Sequence, residues 1–414
     1  MTNQQLFAAA LNISLPWYIK ALNFDESNQR LDIEIDFVTG STFSYTEDDG
    51  TSWEGKAYDT VRKSWRHLNF FQHECYLNAR VPRIKSGTGK INRVIPPWEG
   101  KMNGFTLLFE AMLMQLISVM PVLKVQKMTN VNDDKLWSML ERYVSEALGS
   151  MDLSELKELG LDETSLKKGH KYISIFVDLL KRKVVFVTEG KDSSVLSQFA
   201  EFLKDHNGKV ENIKETSIDM SAAFIKGVHQ TLPEANINFD KFHLIQSLNK
   251  AVDLVRRQEV AKHQELKGAR YSLLKNPQNL TKYQRKKLDD IKLSKKNIQS
   301  LKAYNIRLSF QEIINIKGVE EFEEQFKKWY FWATHSRIDP IIKVAKSFKK
   351  HYDGIVSLVR SGLNNGILEG INSIVKATKA KARGYKKSNN LIAIIYLMLG
   401  DIDISEINKD YSSI

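Results

Sequence analysis

The spacing of apolar residues changes period several times along the chain, and each change predicts a different kind of element. Residues 31–38, LDIEIDFV, alternate apolar and polar positions with period two, and turn signals follow in GSTFSYTEDDG, so residues 1–100 are expected to form a small β-rich module. From Gly104 the period becomes helical: residues 105–118, 122–129 and 132–147 predict three short helices in succession. Residues 159–190 return to strands, one carrying Asp162, then 172–179, then 183–188. A helix over 193–205 leads to a short strand at 213–218, a helix closed by Pro233, and another short strand at 235–239.

Three strands, a helix, a strand, a helix and a strand is the order of a ribonuclease-H-like mixed α/β sheet, its first three strands antiparallel and the others parallel. Asp219 and Asp240 each follow a short strand, and His243 lies three residues further on. The carboxyl ends of strands in an open α/β sheet are where ligands bind. Taken alone, Asp219 reads more readily as a helix N-cap than as a site residue. In this topology, however, the strand bearing Asp162 is its neighbour. Two adjacent carboxylates on a basic protein are costly unless a cation neutralises them.

Composition adds the partner. The 414 residues are 42% hydrophobic and 27% charged, with a formal charge of +12, which points to a polyanion, most simply nucleic acid. Apolar runs at 104–122 and 391–399 are too interrupted or too short to span a membrane, and MTNQQLFAAALNISLPWYIK lacks signal-peptide form, so a cytoplasmic, nucleoid-associated protein is expected. The single cysteine, Cys75, excludes a disulfide framework or a cysteine-rich zinc site and reads as a small buried hydrophobe.

Much of the charge is local. Between Arg256 and Arg307 there are fifteen Lys or Arg against four acids, in a polar helical stretch expected to be an all-α insertion over 251–359. Such a one-sided excess repels itself unless a polyanion is near, which makes Arg256, Arg257, Lys286, Lys287, Lys295 and Lys296 candidate phosphate contacts. The aromatic run FEEQFKKWYFWATH reads as core of this helical part. Trp65, Arg66, His67, Arg80, Arg83 and Lys85 mix aromatic and basic groups, and serve a DNA contact or a small core equally well. In GLNNGILEGINSIVKATKAKARGY a turn at Asn364, Asn365 and Gly366 opens a helix with Glu369 in its first turn, and Lys376, Lys379, Lys381 and Arg383 follow.

Asp162, Asp219 and Glu369, with LGLDETSLKKGHKY, IDMSAAFIKGVHQTLPEANINFDKFH, LKGARYSLLKNPQNLT and NNGILEGINSIVKATKAKARGY, resemble the DDE transposases of the bacterial insertion-sequence family typified by ISL-three. The resemblance runs from about Trp65 onward. It implies that Asp162, Asp219 and Glu369 are catalytic and hold two Mg²⁺ ions, with Mn²⁺ an acceptable substitute, and that Asp240 and His243 match a D-x-x-H signature that organises the strand end without ligating metal. It also implies a catalytic domain over 155–250 and 360–400, a helix-turn-helix over 104–150 whose final helix enters a groove, and a first module shaped like a zinc ribbon without its cysteines.

The implied function is cleavage and strand transfer at the terminal inverted repeats of an element, on double-stranded DNA and by a homodimer, with Lys376, Lys379 and Arg383 adding phosphate contacts. Two other readings share the features: an inactive or domesticated DNA-binding relative, and a nuclease of the same fold that cuts without joining.

Overall fold

Residues 1–47, 50–87, 89–167, 171–294, 297–363 and 366–400 are described by the computed structural model, and the chain divides into one unit ending at Gly149 and another beginning at Ser150.

In the first unit Thr2 and Gln5 form a reciprocal capping box that starts α1 (Asn3–Ala10). β1 (Trp17–Asp25) and β2 (Arg30–Phe37) pair antiparallel, and the turn between them is closed by Asp25, whose carboxylate accepts from Ser27 and Asn28 and is thereby held down at about 2. β3 (Thr42–Thr46) and β4 (Ser52–Lys56) form a separate hairpin, while β5 (Asp59–Phe70), β6 (His73–Lys85) and β7 (Ile91–Arg93) complete the main sheet, with β2 and β6 parallel. Alternation along β2 and β6 buries Ile33, Ile35, Leu77, Ala79 and Val81 against Trp17, Trp65 and Trp98, whose rings meet edge-on at 5.1 and 5.9 Å.

Part of the aromatic and basic mixture in this unit is engaged in its own packing, while Arg80 and Lys85 remain exposed. Trp65 is 1% exposed, Arg66 is buried and paired with Glu74, Arg80 meets Asp36 at 2.9 Å, and Arg83 is paired with Asp59. His67 Nδ1 lies 2.9 Å from Thr106 Oγ1, and burial pulls the ring down to about 4. Cys75 is buried as expected, its thiol pushed up to about 12.

α2 (Leu107–Val119), α3 (Val122–Thr129) and α4 (Asp133–Gly149) are the three helices read from the 3.6-residue period. Glu110, wholly buried on α2, accepts from the Lys101 and Met102 amides at 3.0 and 2.7 Å and from the Tyr143 hydroxyl at 2.5 Å, so three donors compensate its burial.

The second unit is built on β8 (Glu158–Lys167), β9 (Lys171–Asp178), β10 (Lys183–Glu189), β11 (Glu215–Ile218) and β12 (Asn236–Phe239), in the spatial order β10-β9-β8-β11-β12. β9 is antiparallel to both of its neighbours, β8 and β10, and β11 runs parallel to both β8 and β12. α5 (Ser194–Asp205) covers one face through Phe199, which stacks on Phe176 at 4.7 Å, and α6 (Ala222–Thr231) packs beside it.

α7 (Lys241–Glu259) runs unbroken across 250–251, where the insertion was expected to begin. α8 (Arg270–Leu274), α9 (Lys282–Leu293), α10 (Gln299–Ile313), α11 (Val319–Thr334) and α12 (Asp339–Lys350) follow it, all helical as expected. Phe310, Phe326, Trp329 and Phe348 form an aromatic core there, and the Trp329 indole donates to the Ile306 carbonyl at 2.9 Å. Glu259 caps α10 by accepting from the Gln299 and Ser300 amides.

The chain returns to the sheet through α13 (Tyr352–Ser361), which packs on β12, α14 (Gly366–Ala382), which packs on β8, and α15 (Ser388–Leu399), where the Tyr396 hydroxyl accepts from the Val187 amide at 2.9 Å. Three contacts set α14 against β8. Leu368 fills the space beside Gly160, where a Cβ would meet its Cδ2 at 2.8 Å; Asn372 donates to Asp162; and Lys379 donates to the Ser165 carbonyl. Eleven helical residues and five strand residues both advance about 16 Å, so α14 lies along β8 in the same direction. No helix among the described residues is long and apolar enough to cross a membrane.

Candidate active site

Strand register gathers the acids. Ser217 is paired with Gly160 and Ile218 with Phe239; continued to the ends of these parallel strands, the same registers put Asp219 level with both Asp162 and Asp240. The Asp240 amide donates to the Ile218 carbonyl at 2.9 Å, which extends the ladder to that point. Three adjacent parallel strands, about 4.8 Å apart, thus each carry an aspartate at one level of the sheet.

The three are not equivalent. Asp240 is 2% exposed and its oxygens are both engaged: Oδ1 accepts from the Phe242 amide at 2.8 Å, capping α7, and Oδ2 lies 3.0 Å from His243 Nδ1. His243 is raised by its hydrogen bond to Asp240, helped by the Asp162, Asp240 and Asp219 charges and opposed by burial. Asp219 accepts from the Ser221 amide at 2.9 Å, a turn of the chain just before α6 whose N-cap is Ser221 and not Asp219, and this occupies one oxygen only. Asp162 is pushed up to about 6 by burial, with Asp240 and Asp219 adding to the rise while His243 and the Glu163 amide oppose it.

Of the neighbouring acids, Glu163 is half-buried and raised mainly by burial, yet still feels Asp219 and His243. Asp178 accepts from the Leu180 and Lys181 amides at 2.9 and 3.0 Å and so closes the turn after β9.

Glu369 sits in the first turn of α14 and is exposed. Its carboxyl is raised by the desolvation that remains and by the Asp240 charge, against His243. Among the described residues no group of three or more His, Cys, Asp or Glu side chains stands close enough to hold a metal ion.

Sequence reading missed Asn372. One helical turn beyond Glu369 on α14, it is 7% exposed; Nδ2 donates to Asp162 Oδ2, and Oδ1 is buried without a partner among the described residues. The i, i+3 spacing from Glu369 was the available signal, because it puts both residues on one helix face. Asp162 and Asp219 carboxylates with an orphaned amide oxygen are a hard-oxygen donor set, which fits Mg²⁺ or Mn²⁺ and no softer metal.

The basic candidates divide. Arg256 is largely withdrawn into an ion pair with Asp253 at 2.8 Å, whereas Arg257 is mostly exposed. Lys286 is exposed and Lys287 half-buried on α9; Lys295 and Lys296 lie outside the described residues, as do Asn364 and Asn365. Lys376 and Arg383 are exposed, but Lys379 is drawn to Ser165 and lowered by burial beside Lys376. In the first unit, α4 exposes Asp134, Glu141 and Glu146; its Arg142 is paired with Glu146 at 2.9 Å, and Lys135 lies 3.8 Å over the Phe105 ring. α3 instead exposes Lys124 and Lys127, so the cationic face of the three helices is on the second, not the last.

A family model described as a transposase, of the ISL3 type, matches residues 159–395, which span the sheet, the helical insertion and α14. The chain is 26% identical over 366 residues to the transposase for insertion sequence element IS1557 of Mycobacterium tuberculosis, covering 81% of each chain. It is also 26% identical over 342 residues to the transposase for insertion sequence element IS1001 of Bordetella parapertussis, covering 80% of this chain and 83% of that one. With more than half of its length matched by the family model, this chain belongs to the ISL3 family of transposases.

Proposed function

We propose that this transposase cleaves DNA at the ends of its element and joins them to a target, on a ribonuclease-H-like sheet, with Asp162, Asp219 and Glu369 as the catalytic carboxylates. The observation that carries this reading is the in-register pair Asp162 and Asp219 on adjacent parallel strands, with Glu369 on the helix that lies along one of them. The strand order, three antiparallel and two parallel, supports the fold assignment.

Asp162, Asp219 and Glu369 would hold two Mg²⁺ or Mn²⁺ ions, which when bound supply the positive charge that an in-line phosphoryl displacement requires. Asn372 fixes the rotamer of Asp162 by donating to Oδ2, and leaves Oδ1 of the same carboxylate to the Glu163 amide at 2.7 Å. His243, its proton affinity raised by the hydrogen bond to Asp240, offsets part of the repulsion that this buried third carboxylate adds to the other two. The partner is double-stranded DNA, bound as a homodimer at terminal inverted repeats, with phosphate contacts from Arg257, Lys286, Lys376 and Arg383 and groove contact from α3.

The test is Glu369→Gln, which keeps size and hydrogen bonding but removes the charge. Cleavage and transfer in Mg²⁺ are expected to fall by several orders of magnitude while affinity for element-end DNA stays within about threefold, since phosphate contacts lie elsewhere. Cleavage at near wild-type rate by this variant would remove Glu369 from the centre.

A further inference from the structure

Gln246, Asn249, Lys250, Asp253, Arg256 and Arg257 recur at helical spacing along α7 and, with Arg270 and Leu274 of α8, line a cavity of about 650 Å³. That is in the range of small-ligand sites, about 300–1,000 Å³, and far more than a bare ion fills. Its electrostatics are unbalanced. Among the described residues Asp253 is the one carboxylate in the lining, and three guanidinium groups share it: Arg256 at 2.8 Å, Arg257 at 3.5 Å and Arg270 at 3.7 Å. Asp253 splays these groups round the opening without neutralising them, and Lys250 adds a fourth cation.

Behind this lining lies a second, independent feature. Arg307 of α10 is 2% exposed, and among the described residues it has no carboxylate partner. Nε donates to Asn249 Oδ1 at 3.0 Å, Nη2 to the Leu274 carbonyl at 3.1 Å and to Asn276 Oδ1 at 2.9 Å, and Nη1 is buried with no acceptor among the described residues. A buried cation without a counter-ion costs stability, so it is kept only where something offsets it. Two of its acceptors, Asn249 and Leu274, belong to the pocket lining. Because a guanidinium can only donate, Arg307 turns the Asn249 oxygen inward and leaves the amide N–H groups for the cavity. The wall is therefore rich in donors, and the charge beneath it is positive.

Forked guanidinium donors, amide N–H groups and an uncompensated positive charge match a phosphate group better than a carboxylate or halide. We propose that this pocket binds the phosphate of a nucleic-acid nucleotide, so that the insertion holds DNA at a built site and not only by diffuse charge. The proposal specifies part of the DNA contact put forward above. Its test reads affinity alone, so it stands or falls separately from strand cleavage.

Full-length Arg257→Gln/Arg270→Gln is to be titrated with a short DNA duplex beside Lys343→Gln/Lys346→Gln, an equal loss of charge on the exposed face of α12. Inorganic phosphate at constant ionic strength serves as competitor. The pocket pair is expected to lose at least about tenfold in duplex affinity and the control pair about threefold or less, with phosphate displacing duplex from the wild type but not from the residual binding of the pocket pair. Asn249→Asp, which replaces the pocket-side donor with an acceptor, is expected to reproduce the loss. Equal losses in the two pairs would reduce the pocket to general charge and overturn the proposal. Phosphate binding that depends on Arg257 and Arg270 without any change in duplex affinity would overturn it too, by assigning the site to free phosphate.

Discussion

Asp162 is a group whose ionisation opposes the fold around it. Its folded value, about 6, lies above the roughly 3.9 of an unfolded aspartate, so its contribution to stability is complete below about pH 4 and is lost as the pH rises through 6. The two-unit difference is on the order of 3 kcal/mol at pH 8. In metal-free protein Asp162→Asn is therefore expected to melt higher than wild type at pH 8, by several degrees, and nearly with it at pH 4. Thermal melts in a chelator at both pH values check this, and a lower midpoint for the variant at pH 8 would show that the charge is already compensated. The residues legible in the sequence were those that end strands: an acid after each short parallel strand is visible from periodicity alone. Asn372 was not, because its i, i+3 spacing from Glu369 marks a shared helix face but does not reveal that the Asp162 carboxylate, far away in the sequence, meets it. Trp65, Arg66 and His67 were left open for the converse reason, since cross-strand neighbours such as Glu74 decide whether a cation is free.

At the scale of elements, α14 carries both Glu369 and Asn372, and its seat on β8 depends on Leu368 meeting Gly160. Leu368 is 2% exposed, and its truncation to Ala should cost about 2–5 kcal/mol. The first turn of α14 would loosen most. Hydrogen exchange is expected to accelerate in α14 before β8, with cleavage falling in parallel; unchanged protection of α14 would mean that the helix is held by Ile371 and Val375 alone. The helices and strands themselves were largely readable, down to the short β11 and β12, because apolar period and proline punctuation are local. The expected start of the insertion at 251 falls inside α7, which follows β12 without any break in its pattern.

Over the whole molecule, a charge of +12 makes DNA affinity depend on salt, and the exposed cations of the insertion should dominate that dependence. Lys286→Ala/Lys287→Ala is expected to flatten the slope of log affinity against log salt by up to about 2, at a rate near 0.9 for each phosphate that is no longer neutralised. An unaltered slope would place α9 outside the interface. Charge excess was evident from counting; which cations are free was not, since Lys379 is engaged by the Ser165 carbonyl far away in the sequence, and Arg257 and Arg270 stand beside Arg256 round the one Asp253 carboxylate.

α7 begins at Asp240, in the row of strand-end acids, and reaches the cation cluster around Asp253 without interruption. Thirteen residues of helix span about 20 Å, and a rod of that kind works as a ruler. Duplex DNA advances about 3.4 Å per base pair along either strand, so if the two proposals above hold, the ruler marks off about six base pairs between a phosphate at the acid row and one at the cation cluster. Neutral methylphosphonate links walked outward from the cleavage position should weaken binding most about six steps away, and a profile without any such maximum would show that α7 measures nothing.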